Sequence, residues 1–211
     1  MTLQLGDPAP DFVADTTEGR VALHDYLGTS WGVLFSHPAD FTPVCTTELG
    51  EFARRKGEFD DRVTKLIGVS VDSVESHRAW STDIEATQGS ALNFPLVGDQ
   101  DRAVATLYGM IHPGALQTAT VRTVFIIAPD KRIALTLTYP AAIGRNVDEI
   151  LRVLDALRLS AEHSVSTPVN WTDGNDVIVS PAVSDEDART RFPGGITTLA
   201  PYLRLTPQPG P

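Results

Sequence analysis

The one cysteine among 211 residues, Cys45, lies in the run Pro38-Ala39-Asp40-Phe41-Thr42-Pro43-Val44-Cys45. A chain with one thiol closes no internal disulfide, so any redox chemistry runs through a single sulfur. The neighbouring residue types set that sulfur at the start of a helix. Thr42 is a favourable N-cap, and Pro43 suits the first helical position, where its missing N–H leaves nothing unpaired. Cys45 is then the third helical residue, beside free backbone N–H groups and the positive end of the helix dipole. A thiol held there gives up its proton more readily. Thr42 lies one turn before Cys45, so its hydroxyl is expected to reach the same spot as the sulfur. By residue count alone a lone cysteine reads as a small buried hydrophobe. The Pro-x-x-x-Thr-x-x-Cys spacing argues for chemistry instead.

The elements that must position this sulfur follow from the hydropathy pattern. Two short strands are expected near 11–14 and 20–23, joined by a polar turn with Gly19. Trp31–Ser36 is a buried strand, and the Cys45 helix follows from Pro43 to about Lys56. Lys65–Val71 is a second buried strand. Asp72 is expected to cap a helix to about Ala86, with Glu75 completing a capping box. A short strand over Phe94–Val97 and a short helix over Asp101–Tyr108 come next. Arg122–Ala128 and the alternating Ile133, Leu135, Leu137 segment read as a strand pair around Pro129-Asp130. Asn146 caps the clearest helix, whose Val147, Ile150, Leu151, Leu154 and Leu157 share one face.

This alternation predicts an α/β fold with a mixed central sheet flanked by helices over residues 1–165. Residues 166–211 read as a small extension. Seven of the 15 prolines fall between Pro168 and Pro211, and the single helix expected there spans Ser184–Arg191. Such a segment is expected to have little core of its own and to pack on the main domain or on a partner subunit.

Apolar residues make up 42% of the chain, enough for a core. The formal charge of −10 argues against nucleic acid and anionic membrane surfaces as partners. No apolar run reaches the length of a membrane span. The first residues carry neither a basic nor an apolar signal region. With no disulfide possible within the chain, the expected compartment is the cytoplasm.

Residues along the whole chain resemble the peroxiredoxins (the AhpC/TSA family), specifically their one-cysteine branch, the peroxiredoxin six subfamily. The resemblance runs through Gly6-Asp7-x-Ala9-Pro10-x-Phe12, Ser36-His37-Pro38, the PxxxTxxC box, and Gly68-Val69-Ser70-Val71-Asp72-Ser73 with His77 and Trp80. It continues through Arg122-x-Val124-Phe125, Pro129-Asp130-Lys131, Tyr139-Pro140 and Gly144-Arg145-Asn146. It closes with Thr167-Pro168-Val169-x-Trp171, Phe192-Pro193 and Tyr202-Leu203-Arg204.

The resemblance implies a thioredoxin-like core with a C-terminal extension. It implies reduction of hydrogen peroxide and organic hydroperoxides through a sulfenic acid, without metal, haem or flavin. It also implies a homodimer, assembled in some relatives into a decamer. Carried over residue by residue, it makes Cys45 the peroxidatic cysteine, with Pro38, Thr42 and Arg122 completing the site. His37, Glu48 and Arg145 match positions that surround and orient it.

The chemistry makes its own demands. A free thiol of pKa about 8.5 is only a few per cent ionised at neutral pH. Full ionisation therefore gains roughly 10- to 30-fold, part of which is lost to weaker nucleophilicity. The rest of the acceleration must come from donors aimed at the stretched O–O bond and the leaving oxygen, each worth roughly 3–4 kcal/mol. The Thr42 hydroxyl, N–H groups at the helix start and the Arg122 guanidinium are the candidates, while Pro38 shields the sulfur. Arg122 by default would be a surface ion pair, Thr42 only a cap and His37 a core histidine; Glu48 is expected to orient Arg122 or Arg145. With no second cysteine, the sulfenic acid is expected to be reduced from outside, by a small thiol, another protein or, less usually, a non-thiol reductant, and excess peroxide drives Cys45 to sulfinic and sulfonic acids.

Other readings stand beside this one. Gly28-Thr29-Ser30-Trp31-Gly32 has the Gly-x-Ser-x-Gly form of a lipase nucleophile, but it precedes a strand instead of following one. The resemblance nevertheless associates Ser30, His24 and Asp130 with a phospholipase-type hydrolase site in the mammalian relative. A cysteine protease or acyltransferase would need a base near Cys45, with His37 nearest in sequence. A non-enzymatic peroxide sensor or holdase would use the same thiol or the assembly surface.

Overall fold

The structure is a computed structural model that describes residues 3–115 and 118–210. The chain divides into two compact units, Met1–Val147 and Asp148–Pro211.

The first unit is built on a seven-stranded sheet. Its strands are β1 (Val13–Thr16), β2 (Gly19–Ala22), β3 (Trp31–Ser36), β4 (Thr64–Ser70), β5 (Leu96–Gly98), β6 (Arg122–Ile127) and β7 (Ile133–Tyr139), in the spatial order β2-β1-β5-β4-β3-β6-β7. β3, β4 and β5 run parallel, and β6 and β7 are antiparallel additions, so the sheet is mixed as expected. Gly32–Ser36 of β3 and all of β6 are buried on both faces, which requires cover on each side. Alternation along β3 divides that cover. Leu34 joins Leu23 and Leu27 of α1 (Leu23–Leu27) and Val104 and Ala105 of α5 (Ala103–Leu107) in one apolar cluster. Phe35, on the other face, stacks at 4.4 Å on Phe52 of α2 (Pro43–Arg54), which leads into α3 (Lys56–Asp60). The helix that carries Cys45 is therefore fixed to the sheet through an aromatic pair.

Several boundaries differ from the sequence reading for local reasons. α1 replaces the end of the expected second strand, because Leu23 and Leu27, one turn apart, are both fully buried. α2 stops at Arg54, where Arg55 adopts φ −97, ψ 8. α4 (Val74–Gln88) is capped by Ser73, whose Oγ accepts from the Ser76 N–H at 3.2 Å, not by Asp72. The Asp72 carboxylate is engaged instead by the Asp40 N–H and the Ser70 hydroxyl. α4 ends at Gly89, which takes φ +74, a conformation glycine adopts without a Cβ penalty.

The second unit contains most of α6 (Val147–His163) and a four-stranded antiparallel sheet. The sheet comprises β8 (Val165–Ser166), β9 (Val177–Val179), β10 (Thr197–Ala200) and β11 (Leu203–Thr206), in the order β10-β11-β9-β8. α7 (Asp185–Arg191) lies between β9 and β10 and is capped by the Ser184 hydroxyl. The expectation of little core is corrected here. Leu159, Val165, Trp171, Val177, Val179, Val183, Ala188 and Phe192 form a buried cluster, and the Trp171 indole N–H donates to the Asn175 carbonyl at 3.1 Å. Leu159 belongs to that cluster, so α6 groups with the extension and the division falls earlier in the chain than residue 165.

Candidate active site

Cys45 is the third residue of α2, after Pro43 and Val44, and is fully buried. Thr42 holds the expected N-cap position, with extended backbone at φ −113, ψ 146. Its carbonyl accepts the Thr46 N–H at 2.9 Å. The expected side-chain cap is absent: the Thr42 hydroxyl donates backwards to the Ala39 carbonyl at 2.8 Å. That turn is enforced by Phe41, a non-glycine residue at φ 53, the left-handed region in which a side chain is strained. With its proton on Ala39, the Thr42 oxygen keeps its lone pairs for another donor.

Arg122, the first residue of β6, meets Cys45 although 77 residues separate them. Its Nη1 donates to Cys45 Sγ at 3.2 Å and to Glu48 Oε2 at 2.6 Å. Nε and Nη2 both donate to the Ala141 carbonyl, at 2.9 and 2.7 Å. The guanidinium is thus held on two sides while one nitrogen faces the sulfur. Glu48, one turn after Cys45, is shared with a second arginine. The Arg145 N–H and Nε donate to Oε1 at 2.7 and 2.9 Å, and Nη2 donates to Oε2 at 2.7 Å. The remaining Arg145 nitrogen, Nη1, donates to the Ser36 carbonyl at the end of β3, and the guanidinium lies over the Phe35 and Phe52 rings at 5.0 and 5.5 Å. Two buried guanidiniums therefore share one carboxylate, leaving one positive charge uncompensated beside the sulfur.

Removing Glu48 leaves that pair of cations without an anion. Glu48→Ala is expected to cost about 3–5 kcal/mol of stability, read as a lower urea midpoint with an unchanged slope. A loss below about 1 kcal/mol would contradict the arrangement.

The loop Pro38–Thr42 joins β3 to α2. Pro38 is half-buried, seven residues before Cys45. His37 does not hydrogen-bond to Cys45. It is fully buried, its Nε2 lies 2.9 Å from Asp40 Oδ1, and among the described residues its Nδ1 has no hydrogen-bond partner. Burial lowers the His37 pKa below the usual histidine value, outweighing the neighbouring Asp40. Asp40 also meets His77 Nδ1 at 2.8 and 3.0 Å from its two oxygens and accepts from the Ser76 hydroxyl at 2.7 Å. Burial alone would raise the Asp40 pKa; the hydrogen bonds from His37 and His77 outweigh it and hold the carboxyl well below the usual range.

A histidine held neutral stabilises the fold fully above its unfolded pKa of about 6.5, and the contribution is lost as pH falls below that. Unfolding stability is therefore expected to decline as pH falls below about 6.5, with a shallower decline in His37→Asn. An identical slope in the variant would contradict this. Local sequence does not single out Asp40, because beyond His37 its side-chain partners Ser76 and His77 lie 36 and 37 residues away.

The three residues of the hydrolase reading hydrogen-bond to separate partners. His24 Nε2 lies 2.8 Å from the Ala9 carbonyl, and its Nδ1 is 4.0 Å from Asp11. Asp130 accepts from the Arg132 N–H at 3.2 Å. Ser30 sits in the turn before β3, its N–H on the Leu27 carbonyl. Among the described residues, none of Ser30, His24 and Asp130 hydrogen-bonds to another of the three. Ser30 and Asp130 serve their own turns, and His24 is tied to the segment Ala9–Asp11.

The AhpC/TSA family model matches residues 5–136, and the model for the C-terminal domain of 1-Cys peroxiredoxin matches residues 156–195. A 1-Cys peroxiredoxin of Dictyostelium discoideum is 52% identical, with 98% of this chain and 86% of that protein aligned. Peroxiredoxin-6 of Rattus norvegicus is 51% identical over 98% of both chains. Among solved structures, a cysteine-to-serine mutant of peroxiredoxin 6 of Arenicola marina superposes with a TM-score of 0.92 at 45% identity, covering 98% of this chain and 99% of that one. A yeast mitochondrial 1-Cys peroxiredoxin, solved in connection with thiol resolving through glutathione and thioredoxin systems, gives 0.91 at 50% identity over 98% and 100%. The chain belongs to the AhpC/TSA family, in its one-cysteine peroxiredoxin branch. It has the thioredoxin-like fold of that family and is a thiol-dependent peroxidase.

Proposed function

We propose that Cys45 is the sulfur that reduces the peroxide, and that Thr42 and Arg122 hold the substrate against it. The thiolate attacks one peroxide oxygen, the O–O bond breaks, and the other oxygen leaves with a proton as water or alcohol, with Cys45 left as a sulfenic acid. The observation that carries this reading is the 3.2 Å contact from Arg122 Nη1 to Cys45 Sγ. The guanidinium answers the negative charge on sulfur in the ground state and the charge that moves to oxygen in the transition state. The Thr42 hydroxyl, its proton engaged by Ala39, accepts the peroxide O–H. Glu48 and Arg145 fix Arg122, and Pro38 covers the sulfur.

The chain has no second thiol, so the sulfenic acid returns to thiol through two equivalents of an external thiol, with water and a disulfide as products. A low-molecular-weight thiol or a thioredoxin-type protein fits this requirement. The enzyme works as a homodimer, an assignment drawn from the family and tested by light scattering. It belongs in a reducing compartment, and the cytoplasm is our assignment; among the described residues no helix is long and apolar enough to cross a membrane.

The test is oxidation by one equivalent of hydrogen peroxide, followed by trapping of the sulfenic acid and coupled turnover with an added thiol. Rapid trapping at Cys45 with sustained turnover supports the peroxidase. Rapid trapping without turnover would favour a sensor. Ser30→Ala is expected to leave peroxide turnover within about twofold of the parent, as for a surface substitution, and a loss of about tenfold would overturn the assignment of Ser30 to a turn.

A further inference from the structure

His37, Asp40 and His77 form a buried cluster whose hydrogen bonds do not close with the usual number of protons. His77 Nε2 lies 3.1 Å from the Val97 carbonyl, and its Nδ1 lies 2.8 Å from Asp40 Oδ2. Both neighbours are acceptors. A neutral imidazole has one N–H, so it would leave a lone pair pressed against either the carboxylate or the carbonyl. His37 Nε2 faces the same carboxylate at 2.9 Å and must donate to it. Among the described residues its bare Nδ1 has no hydrogen-bond partner, so His37 has no use for a second proton.

We propose that one extra proton is held between Asp40 and His77, and that through it Asp40 and His77 act as positioning residues for peroxide reduction. The cluster fastens the segment that presents Thr42 and opens the Cys45 helix. Asp40 is in the middle of that segment, its backbone N–H is on Asp72, and Ser76 and His77 anchor it to the first turn of α4. Loss of the proton sets a His77 lone pair against either the Asp40 carboxylate or the Val97 carbonyl at hydrogen-bond distance in a buried site. The repulsion displaces the His77 ring and, through its contact with Asp40, the loop, and displacement of reacting groups by about 1 Å costs on the order of 10²-fold in rate.

The charged and titratable neighbours are few. Asp72 faces the Asp40 backbone from the end of β4. His37 and His77 rings are 5.8 Å apart, and the Arg145 charge further disfavours the charged form of His37. Ser76 is neutral, and so is Trp80, 5.2 Å from His37.

Asp40→Asn separates this account from simple packing. The carboxamide it introduces accepts from His37 through its oxygen and donates to His77 Nδ1 through its nitrogen, so the cluster closes with neutral side chains. The experiment measures sulfenic acid formation by hydrogen peroxide from about pH 6 to about pH 9.5, each protein normalised to its rate near pH 7, a range that spans the ordinary histidine and thiol pKa values. The same proteins are examined by ¹⁵N NMR of the histidine rings. The wild type is expected to show both His77 nitrogens protonated near pH 7 and a fall in rate of about tenfold or more at the alkaline end. Asp40→Asn is expected to show a single proton on His77 Nε2 and no such fall. A His77 ring with one proton in the wild type, or the same alkaline fall in Asp40→Asn, would overturn the proposal. So would a stoichiometric divalent metal in the purified wild type that is lost in Asp40→Asn, since a cation would then fill the proton's place. The NMR measurement on the wild type decides the matter even if the variant does not fold.

Discussion

Cys45→Ser is expected to fold and to reduce no peroxide. The side chain is fully buried, and exchanging sulfur for oxygen changes its volume little, so stability should stay within about 1–1.5 kcal/mol of the parent. The chemistry does not survive the exchange. A hydroxyl in place of the thiol stays protonated at neutral pH and is a poor nucleophile toward a peroxide oxygen. Arg122 Nη1 would still find an acceptor at this position, so the site would keep its shape while losing its reactive atom. Thiol-coupled peroxide consumption is the measurement. Turnover above the uncatalysed background, in a chain with no other cysteine, would mean that the reaction runs elsewhere.

Arg122→Ala carries the second-largest effect. The guanidinium spans three partners, Cys45, Glu48 and the Ala141 carbonyl, and no shorter side chain reproduces that span. Removal of one preorganised donor at a developing oxyanion costs about 10²–10³-fold. Here the donor is also the charge nearest the sulfur, so the oxidation step should slow by at least about 10²-fold. Arg122→Lys should recover little of this, because an ammonium is a single point and cannot hold a fork of fixed geometry. The folding cost should be smaller than for Glu48→Ala, since Arg145 still satisfies both Glu48 oxygens. Stopped-flow oxidation isolates the affected step, and reduction of the sulfenic acid by added thiol should change much less. A loss below about tenfold in oxidation would remove Arg122 from the chemistry.

The parts of this site that are legible in the sequence are those set by neighbours in the chain. Trp31–Ser36 is continuous and apolar enough to read as a buried strand, and Pro43 fixes the first turn of α2 wherever the tertiary structure takes it. The position of Thr42 follows from the same local rule, but the direction of its hydroxyl does not. That direction depends on the left-handed Phe41 and on a carbonyl three residues back, a loop geometry no propensity encodes.

Arg122, Glu48 and Arg145 come from β6, α2 and the segment before α6. Only the family resemblance, not spacing, points to their meeting. Asp40 carries little local signal because two of its three side-chain partners, Ser76 and His77, are on α4. In the C-terminal unit, strands of two to four residues are too short to show alternation. The prolines between them read as loop, although Trp171, Val177 and Val179 supply the buried side chains of a core.

The most direct test is single-turnover oxidation of the reduced protein by hydrogen peroxide, with the product located by mass spectrometry of the Cys45 peptide. The account predicts a second-order rate of about 10⁴ M⁻¹s⁻¹ or faster, the lower range of efficient enzymes, one oxygen atom added at Cys45, and a collapse of that rate in Arg122→Ala. Oxidation as slow in the wild type as in the denatured chain, with Arg122→Ala unchanged from both, would contradict it.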